Sequence, residues 1–189
     1  MWRYLLPLAG FGVLVTFFFY GLQRDPSTIP SPLIGKPAPE FSLPDVRDPN
    51  KQVSNADYRS RMYLLNVWAT WCVGCRQEHE VLMQLARTSP IPMISLNWKD
   101  ERALAIRWLD QLGDPYVQSA FDQEGRVAID WGVYGAPETF LVSADGRVLH
   151  KHIAPMTLQI WEQEFLPKIA AAKPAAKPVA ERAAGTGQP

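Results

Sequence analysis

The chain has 189 residues, with 19 basic and 19 acidic side chains, so its formal net charge is zero. A balanced surface without a basic cluster along the chain argues against a nucleic-acid partner, which calls for a cationic face. Hydrophobic residues make up 47% of the chain, a globular proportion, and the length suits one domain with additions at its ends.

The first element is apolar. Residues 4–22 read YLLPLAGFGVLVTFFFYGL, without one charge. As a helix this run is about 28 Å long, close to the hydrocarbon thickness of a bilayer. Arg3 precedes it, while Arg24 beyond it is offset by Asp25. The positive-inside bias then leaves the short N-terminus in the cytoplasm and everything after Leu22 across the membrane. Trp2, Tyr4 and Tyr20 stand at the ends, where interfacial aromatics are favoured, and Pro7 lies near the first turn, where proline disrupts least. Residues 1–24 are therefore expected to be an uncleaved signal anchor, with residues 4–22 transmembrane. A cleaved secretory signal is the main alternative, but its apolar core is usually about 7–15 residues and no clean A-x-A site follows here; a buried core helix is the weakest reading. The first two readings export the rest of the chain to an oxidising compartment.

Residues 25–34 hold Pro26, Pro30 and Pro32 among Ser and Thr and read as an extended tether. Residues 35–170 are the expected folded domain, long enough to bury a core without staples. Within it, Tyr63–Trp68 reads as a buried strand and Cys75–Arg87 as a helix with Val81, Leu82 and Leu85 on one face. Ile91–Trp98 reads as a second strand. Glu101–Leu112 is an amphipathic helix that Gly113 should stop. A short strand over Tyr116–Phe121 and a short helix over Val127–Trp131 follow. Thr139–Ser143 and Arg147–Ile153 flank Ala144-Asp145-Gly146, whose Asp-Gly step marks a hairpin. Thr157–Ala170 closes the domain as a helix. Residues 171–189 are Ala, Pro, Lys and Gly with little to bury, and are expected to be a disordered tail. The alternation predicts an α/β class, with a mixed central sheet flanked by helices.

The chemistry concentrates at Cys72 and Cys75, the only cysteines in the chain. Two thiols spaced C-x-x-C at the start of a helix are suited to making and breaking one disulfide. Unpaired N–H groups and the helix dipole favour an anion on Cys72, which marks it as the attacking thiol. Cys75, one turn in, should be more buried and should resolve the mixed disulfide. A purely structural bridge is a weaker reading, because so short a loop adds little stability on closure. Zinc is weaker still: Cys72, Cys75 and His79 supply three ligands where a structural site wants four. Haem attachment needs C-x-x-C-H, and position 76 is Arg.

The strand, the W-C-x-x-C motif, the following helix and a later strand-opening proline in Gly135-Ala136-Pro137-Glu138-Thr139-Phe140-Leu141 resemble the thioredoxin superfamily. Within it the chain is most similar to the membrane-anchored thiol:disulfide interchange proteins of bacterial cytochrome c maturation. Leu65-Asn66-Val67-Trp68-Ala69-Thr70-Trp71-Cys72, Gly132-Val133-Tyr134-Gly135-Ala136-Pro137-Glu138-Thr139 and Gly35-Lys36-Pro37-Ala38-Pro39-Glu40-Phe41 carry that likeness, which covers Gly35 to Lys168. The resemblance implies a thioredoxin-like fold, a redox-active Cys72–Cys75 disulfide, a cis Pro137 packed against it, and an acidic surround that includes Glu78 and Glu138. Either carboxylate, implied as catalytic, would oppose thiolate formation or take the proton of Cys75; the plain readings are a solvated helix face for Glu78 and a strand-edge carboxylate for Glu138. Trp71, Val73, Gly74, Tyr134, Ala136 and Pro137 are the expected substrate-docking surface. Trp68 is expected in the core, and Tyr134 suits groove or core equally. His150 and His152 share one face of a strand, expected to be an exposed edge.

There are two departures from the family pattern. Val73-Gly74 lacks the proline that often follows the first cysteine. Asn66 stands where thioredoxins proper carry a buried Asp, so any proton acceptor must come from elsewhere. Val73-Gly74 also holds no His or Lys to stabilise a thiolate, which points to a reductant, or at most a mild oxidant. The expected activity is that of a periplasm-facing oxidoreductase in the bacterial inner membrane. The resemblance implies that it reduces apocytochrome c, or a maturation factor that handles it, and is recycled by a membrane thiol-reductant transporter. It is expected to be a monomer that needs no metal and no cofactor. The alternatives are a general disulfide reductase, a peroxide-reducing relative, and a non-catalytic thiol-based metal chaperone.

Overall fold

A computed structural model describes residues 2–22 and 31–172. The tether expected over 25–34 lies outside the described residues up to residue 30, and the tail expected over 171–189 lies outside them from residue 173. Helix α1 runs Trp2–Leu22, and its apolar side chains, Leu6, Phe11 and Phe17 among them, are exposed. The side chains of residues 2, 3, 5 and 22 are outside the described set, and among the described residues no helix is long and apolar enough to cross a membrane.

The domain is built on a five-stranded sheet of order β5-β4-β3-β6-β7. The strands are β3 (Tyr63–Trp68), β4 (Met93–Trp98), β5 (Gln118–Asp122), β6 (Glu138–Val142) and β7 (Val148–His152). β3 and β4 pair in parallel, as do β4 and β5, while β6 runs antiparallel to both β3 and β7. The parallel crossovers are helical: α2 (Val73–Thr88) joins β3 to β4, and α3 (Arg102–Leu112) joins β4 to β5. The chain then passes through α4 (Arg126–Asp130) to the β6–β7 hairpin. It ends in α5 (Leu158–Ile160), a π-helical turn at Trp161–Phe165, and α6 (Leu166–Ala172).

β3 is buried along its whole length because it is central and covered on both faces. The period of two sorts its side chains. Leu64 and Trp68 join the core beneath α2 and α3, with Leu82, Leu85, Trp108 and Phe165. Tyr63, Leu65 and Val67 join the opposite core, with Ile94, Leu96, Trp131 and Phe140. Each fully buried leucine, such as Leu82, contributes about 2 kcal/mol. Gly113 stops α3 at φ 94° and Gly146 makes the hairpin turn at φ 79°, both in the left-handed region that favours glycine.

The structure adds elements that the pattern analysis leaves out. Residues 35–62 hold β1 (Ser42–Pro44), β2 (Gln52–Ser54) and a 3-10 turn at Asn55–Tyr58. Strands of three residues are too short to show a period; β2 buries only Val53. α2 starts at Val73 rather than at Cys75, because Cys72 itself caps it. The exposed edge expected for His150 and His152 is not found. Phe165 packs against both rings at 4.9 and 6.5 Å, and Glu164 Oε2 lies 2.8 Å from His150 Nε2 and 3.3 Å from His152 Nδ1. The closing helix folds back over the edge strand and covers that face.

Candidate active site

The site lies where β3 ends and α2 begins. Cys72 is the N-cap, in extended backbone (φ −88°, ψ 112°), and its Sγ accepts a hydrogen bond from the Cys75 N–H at 3.0 Å. An orphan donor of the helix start is thus aimed at the sulfur on which negative charge develops on reduction. The two cysteines form a disulfide with Cα atoms 5.3 Å apart. They are 5% and 3% exposed, so burial scarcely separates them while the bond is closed. Their neighbours do separate them: Trp71 and Val73, on either side of Cys72, are 55% and 74% exposed.

Asp100 ties this loop to the end of β4. Its Oδ2 accepts from the Thr70 N–H (2.6 Å) and Asn97 Nδ2 (2.9 Å), and its Oδ1 from the Thr70 hydroxyl (2.6 Å) and the Glu101 N–H (2.8 Å). Trp71 Nε1 donates to the Lys99 carbonyl at 3.0 Å. Lys99 sits at φ 47°, an uncommon conformation for a side-chain-bearing residue. Beside Trp71 opens a cleft of about 770 Å³, lined in part by Arg76, Lys99, Leu104, Arg107 and Trp108.

The opposite wall is the loop into β6. The Ala136–Pro137 bond is cis. A Cβ on Gly74 would come within 2.9 Å of Pro137 Cδ and 3.2 Å of Pro155 Cγ, so the closeness of this loop to the redox motif requires glycine there. Tyr134 is 60% exposed, which excludes the core reading. Glu138 is fully buried. Its Oε1 accepts from the N–H groups of Tyr134 (2.8 Å) and Gly135 (3.3 Å), and its Oε2 pairs with Lys151 Nζ at 2.9 Å. Lys151 also donates to the Gly132 carbonyl at 2.7 Å and lies 4.2 Å from the Tyr134 ring centroid. These contacts make the pair a brace for the Gly132–Pro137 loop. Replacing Glu138 with Gln would strand a buried ammonium and should cost about 3 kcal/mol of stability. Adding Lys151→Met should recover part of that loss, measured by chemical denaturation.

Glu78 lies one turn along α2 from Cys75 and is fully buried. This excludes the solvated helix face as its setting. Oε1 accepts from Asn66 Nδ2 at 2.9 Å and Oε2 from the Met156 N–H at 2.7 Å. Burial raises its pKa to about 7, against the lowering effect of those two donors. A carboxyl poised there can give or take a proton at neutral pH. His79, the remaining zinc candidate, is engaged elsewhere. Its Nδ1 accepts from Trp108 Nε1 at 3.3 Å, its Nε2 is 3.1 Å from the Gly113 carbonyl, and burial lowers its pKa. Among the described residues, no cluster of His, Cys, Asp and Glu is arranged to hold a metal ion.

The Redoxin family profile matches residues 33–164. The thiol:disulfide interchange protein DsbE of Allochromatium vinosum is 50% identical over 168 residues, covering 89% of this chain and 93% of the relative. The protein of the same name from Pseudomonas aeruginosa is 44% identical over 163 residues, covering 86% and 90%. The chain belongs to the DsbE family of thiol:disulfide interchange proteins. It is a thiol:disulfide oxidoreductase on a thioredoxin-like domain. A solved chain from Chlorobium tepidum is 26% identical with a TM-score of 0.61, covering 72% of this chain and 94% of that one. A secreted thiol-disulfide isomerase from Corynebacterium glutamicum (21% identical, TM-score 0.62, covering 70% and 85%) shares the fold.

Three residues at the site were absent from the sequence-derived site residues: Asn66, Asp100 and Lys151. Only Asn66 leaves a trace in the pattern, as an amide inside the apolar run Tyr63–Trp68. A polar group in such a strand needs a buried partner, but no local pattern names it.

Proposed function

We propose that this chain is a periplasm-facing disulfide reductase of cytochrome c maturation, held in the bacterial inner membrane by residues 1–24. In this reading residues 4–22 span the bilayer, residues 25–34 are the tether, residues 35–170 are the catalytic domain and residues 171–189 are a flexible tail. The uncharged run of residues 4–22 supports the anchor. The substrate is a disulfide in apocytochrome c or in a protein that handles it, and a membrane thiol-reductant transporter restores the reduced form.

The Cys72 thiolate attacks one sulfur of the substrate disulfide. A Cys72–substrate bond forms and the second substrate sulfur leaves as a thiolate. Glu78, as carboxylate, takes the proton of Cys75. The Cys75 thiolate then attacks Cys72 Sγ, the substrate's remaining sulfur departs, and the Cys72–Cys75 disulfide closes. Two electrons pass to the substrate and the protein is left oxidised. Trp71, Val73, Gly74, Tyr134, Ala136 and Pro137 form the surface against which the substrate backbone docks, and Glu138 holds part of that surface in place.

The observation that carries the reductive direction is the surround of Cys72. Its sulfur receives one N–H, from Cys75, and the intervening Val73-Gly74 offers no cationic side chain. A dipeptide that adds no positive charge beside the thiolate favours a reductant over a strong oxidant, whose drive comes from a stabilised reduced form. The test is the reduction potential of the full-length protein, read by equilibration with dithiothreitol or glutathione and thiol trapping. A value towards about −270 mV is expected. A value near about −120 mV would mark an oxidant and withdraw the reductase reading.

A further inference from the structure

Glu78 is the end of a buried chain of polar groups that reaches Tyr116. The Tyr116 hydroxyl donates to Asn66 Oδ1 at 2.7 Å. The Asn66 amide then presents both N–H groups the other way, to Glu78 Oε1 at 2.9 Å and to Thr139 Oγ1 at 3.0 Å. Strand register places these partners: Asn66 lies opposite Thr139 across the β3–β6 pair, and Tyr116 arrives just ahead of β5. Both N–H groups and one carbonyl lone pair of the amide are thereby used, in a residue with no solvent exposure.

An amide has two ends of opposite character, and only one suits a carboxylate. Turned over, Asn66 would set its carbonyl against Glu78. That arrangement favours the protonated acid, which can donate to the carbonyl, and disfavours the carboxylate, which cannot. We propose that Tyr116 is a positioning residue of this active site: by donating its hydroxyl proton to Asn66 Oδ1 it locks the amide with its N–H towards Glu78, and so holds Glu78 in readiness as a carboxylate. Burial raises the Tyr116 pKa well above the ordinary tyrosine value, with the negative charges of Glu78 and Asp114 acting in the same direction, so the hydroxyl keeps its proton throughout the working range.

The groups around Glu78 are few. β3 presents the Asn66 amide and the segment before α5 presents the Met156 N–H, while Thr139 of β6 reaches Glu78 only through Asn66 and Cys75 precedes it by one turn of the same helix. Glu138, the nearest carboxylate along β6, is paired with Lys151, and Asp114, beside Tyr116, lies 3.4 Å from Arg47. Tyr116 is also a packing residue, its ring stacked on Trp68 at 5.9 Å, so the test has to separate the hydroxyl from the ring.

The experiment follows the Glu78 carboxyl by carbon NMR in the oxidised, solubilised full-length protein across pH, with Tyr116→Phe and Thr139→Val beside it. Tyr116→Phe keeps the stack and removes the lock, and should move the Glu78 titration up by about one unit. Thr139→Val removes a different hydrogen bond from the same amide while the lock remains, and should move it by less than half as much. Equal shifts in the two variants, or none in Tyr116→Phe, would overturn the proposal. The wild-type protein gives a reading that needs no variant: the Asn66 side-chain N–H resonances should titrate in step with Glu78, and a failure to follow would also overturn it. The exchange readout rests on Glu78 being the acceptor for Cys75. If so, Tyr116→Phe should slow the closing of the mixed disulfide about five-fold at pH 7 and less at higher pH. A Glu78 titration that shifts while exchange keeps its pH profile would sustain the lock and remove Glu78 as acceptor.

Discussion

Replacing Cys72 with Ser should lower disulfide exchange by on the order of 10³-fold or more, because the one remaining thiol, Cys75, lies inside the first turn of α2 rather than at its cap. Replacing Cys75 with Ser should give a different result. Attack by Cys72 still occurs, but the mixed disulfide has nothing to close it, so substrate should accumulate covalently on Cys72 and be released by dithiothreitol. Non-reducing electrophoresis and mass spectrometry distinguish the two outcomes. The asymmetry follows from placement: Cys72 is the cap, flanked by the exposed Trp71 and Val73, whereas Cys75 is inside the first turn. Trapping on Cys75 in the Cys72→Ser protein would reverse these assignments.

Replacing Glu78 with Gln should slow the resolving step by about 10²-fold, the lower range for loss of a positioned general base. The loss should be greatest near and above pH 7, where the wild-type carboxyl is ionised, and should shrink at acid pH, where it is protonated in any case. The same group shapes stability. In the folded chain its pKa is raised from 4.5 to about 7, by burial first. The folded state therefore binds this proton more tightly than the unfolded state does. That stabilisation is complete below about pH 4.5 and is lost as pH rises through about 7, a change on the order of 3 kcal/mol. Denaturation midpoints across this range should fall with rising pH in the wild type and flatten in Glu78→Gln. A stability slope unchanged by the substitution would show that the buried carboxyl does not titrate there.

Much of this protein was legible in the chain before the fold. The apolar run of β3, broken only by Asn66, announces a strand covered on both faces, and the structure puts it at the centre of the sheet. Cys72 and Cys75 are legible because thiol spacing at a helix start is a local matter, decided within four residues. Ala144-Asp145-Gly146 marks its turn for the same reason: the left-handed backbone at Gly146 is a property of one residue. The β1–β2 pair is not legible, because three-residue strands carry no period and find their place only against β5, where the Val46 N–H donates to the Ser119 carbonyl at 2.8 Å.

What the sequence by itself determined, then, is the order of strands and helices from β3 onward and the thiol pair, which rest on local propensity, on periodicity and on the chemistry of neighbouring residues; the thioredoxin-like class rests on the resemblance of its motifs to a known family. Only the tertiary structure decided the settings of Glu78, Glu138, His150 and Tyr116. A carboxyl on a helix carries no mark of which way its face will turn. Glu78 becomes a buried acid because α2 lies across β3, and because Asn66 and Met156, twelve and seventy-eight residues away, bring donors to it. Glu138 becomes half of an ion pair because β7 returns beside β6 and delivers Lys151. Desolvation and hydrogen bonding depend on what surrounds a group in space, and that is set by packing between elements far apart in the chain.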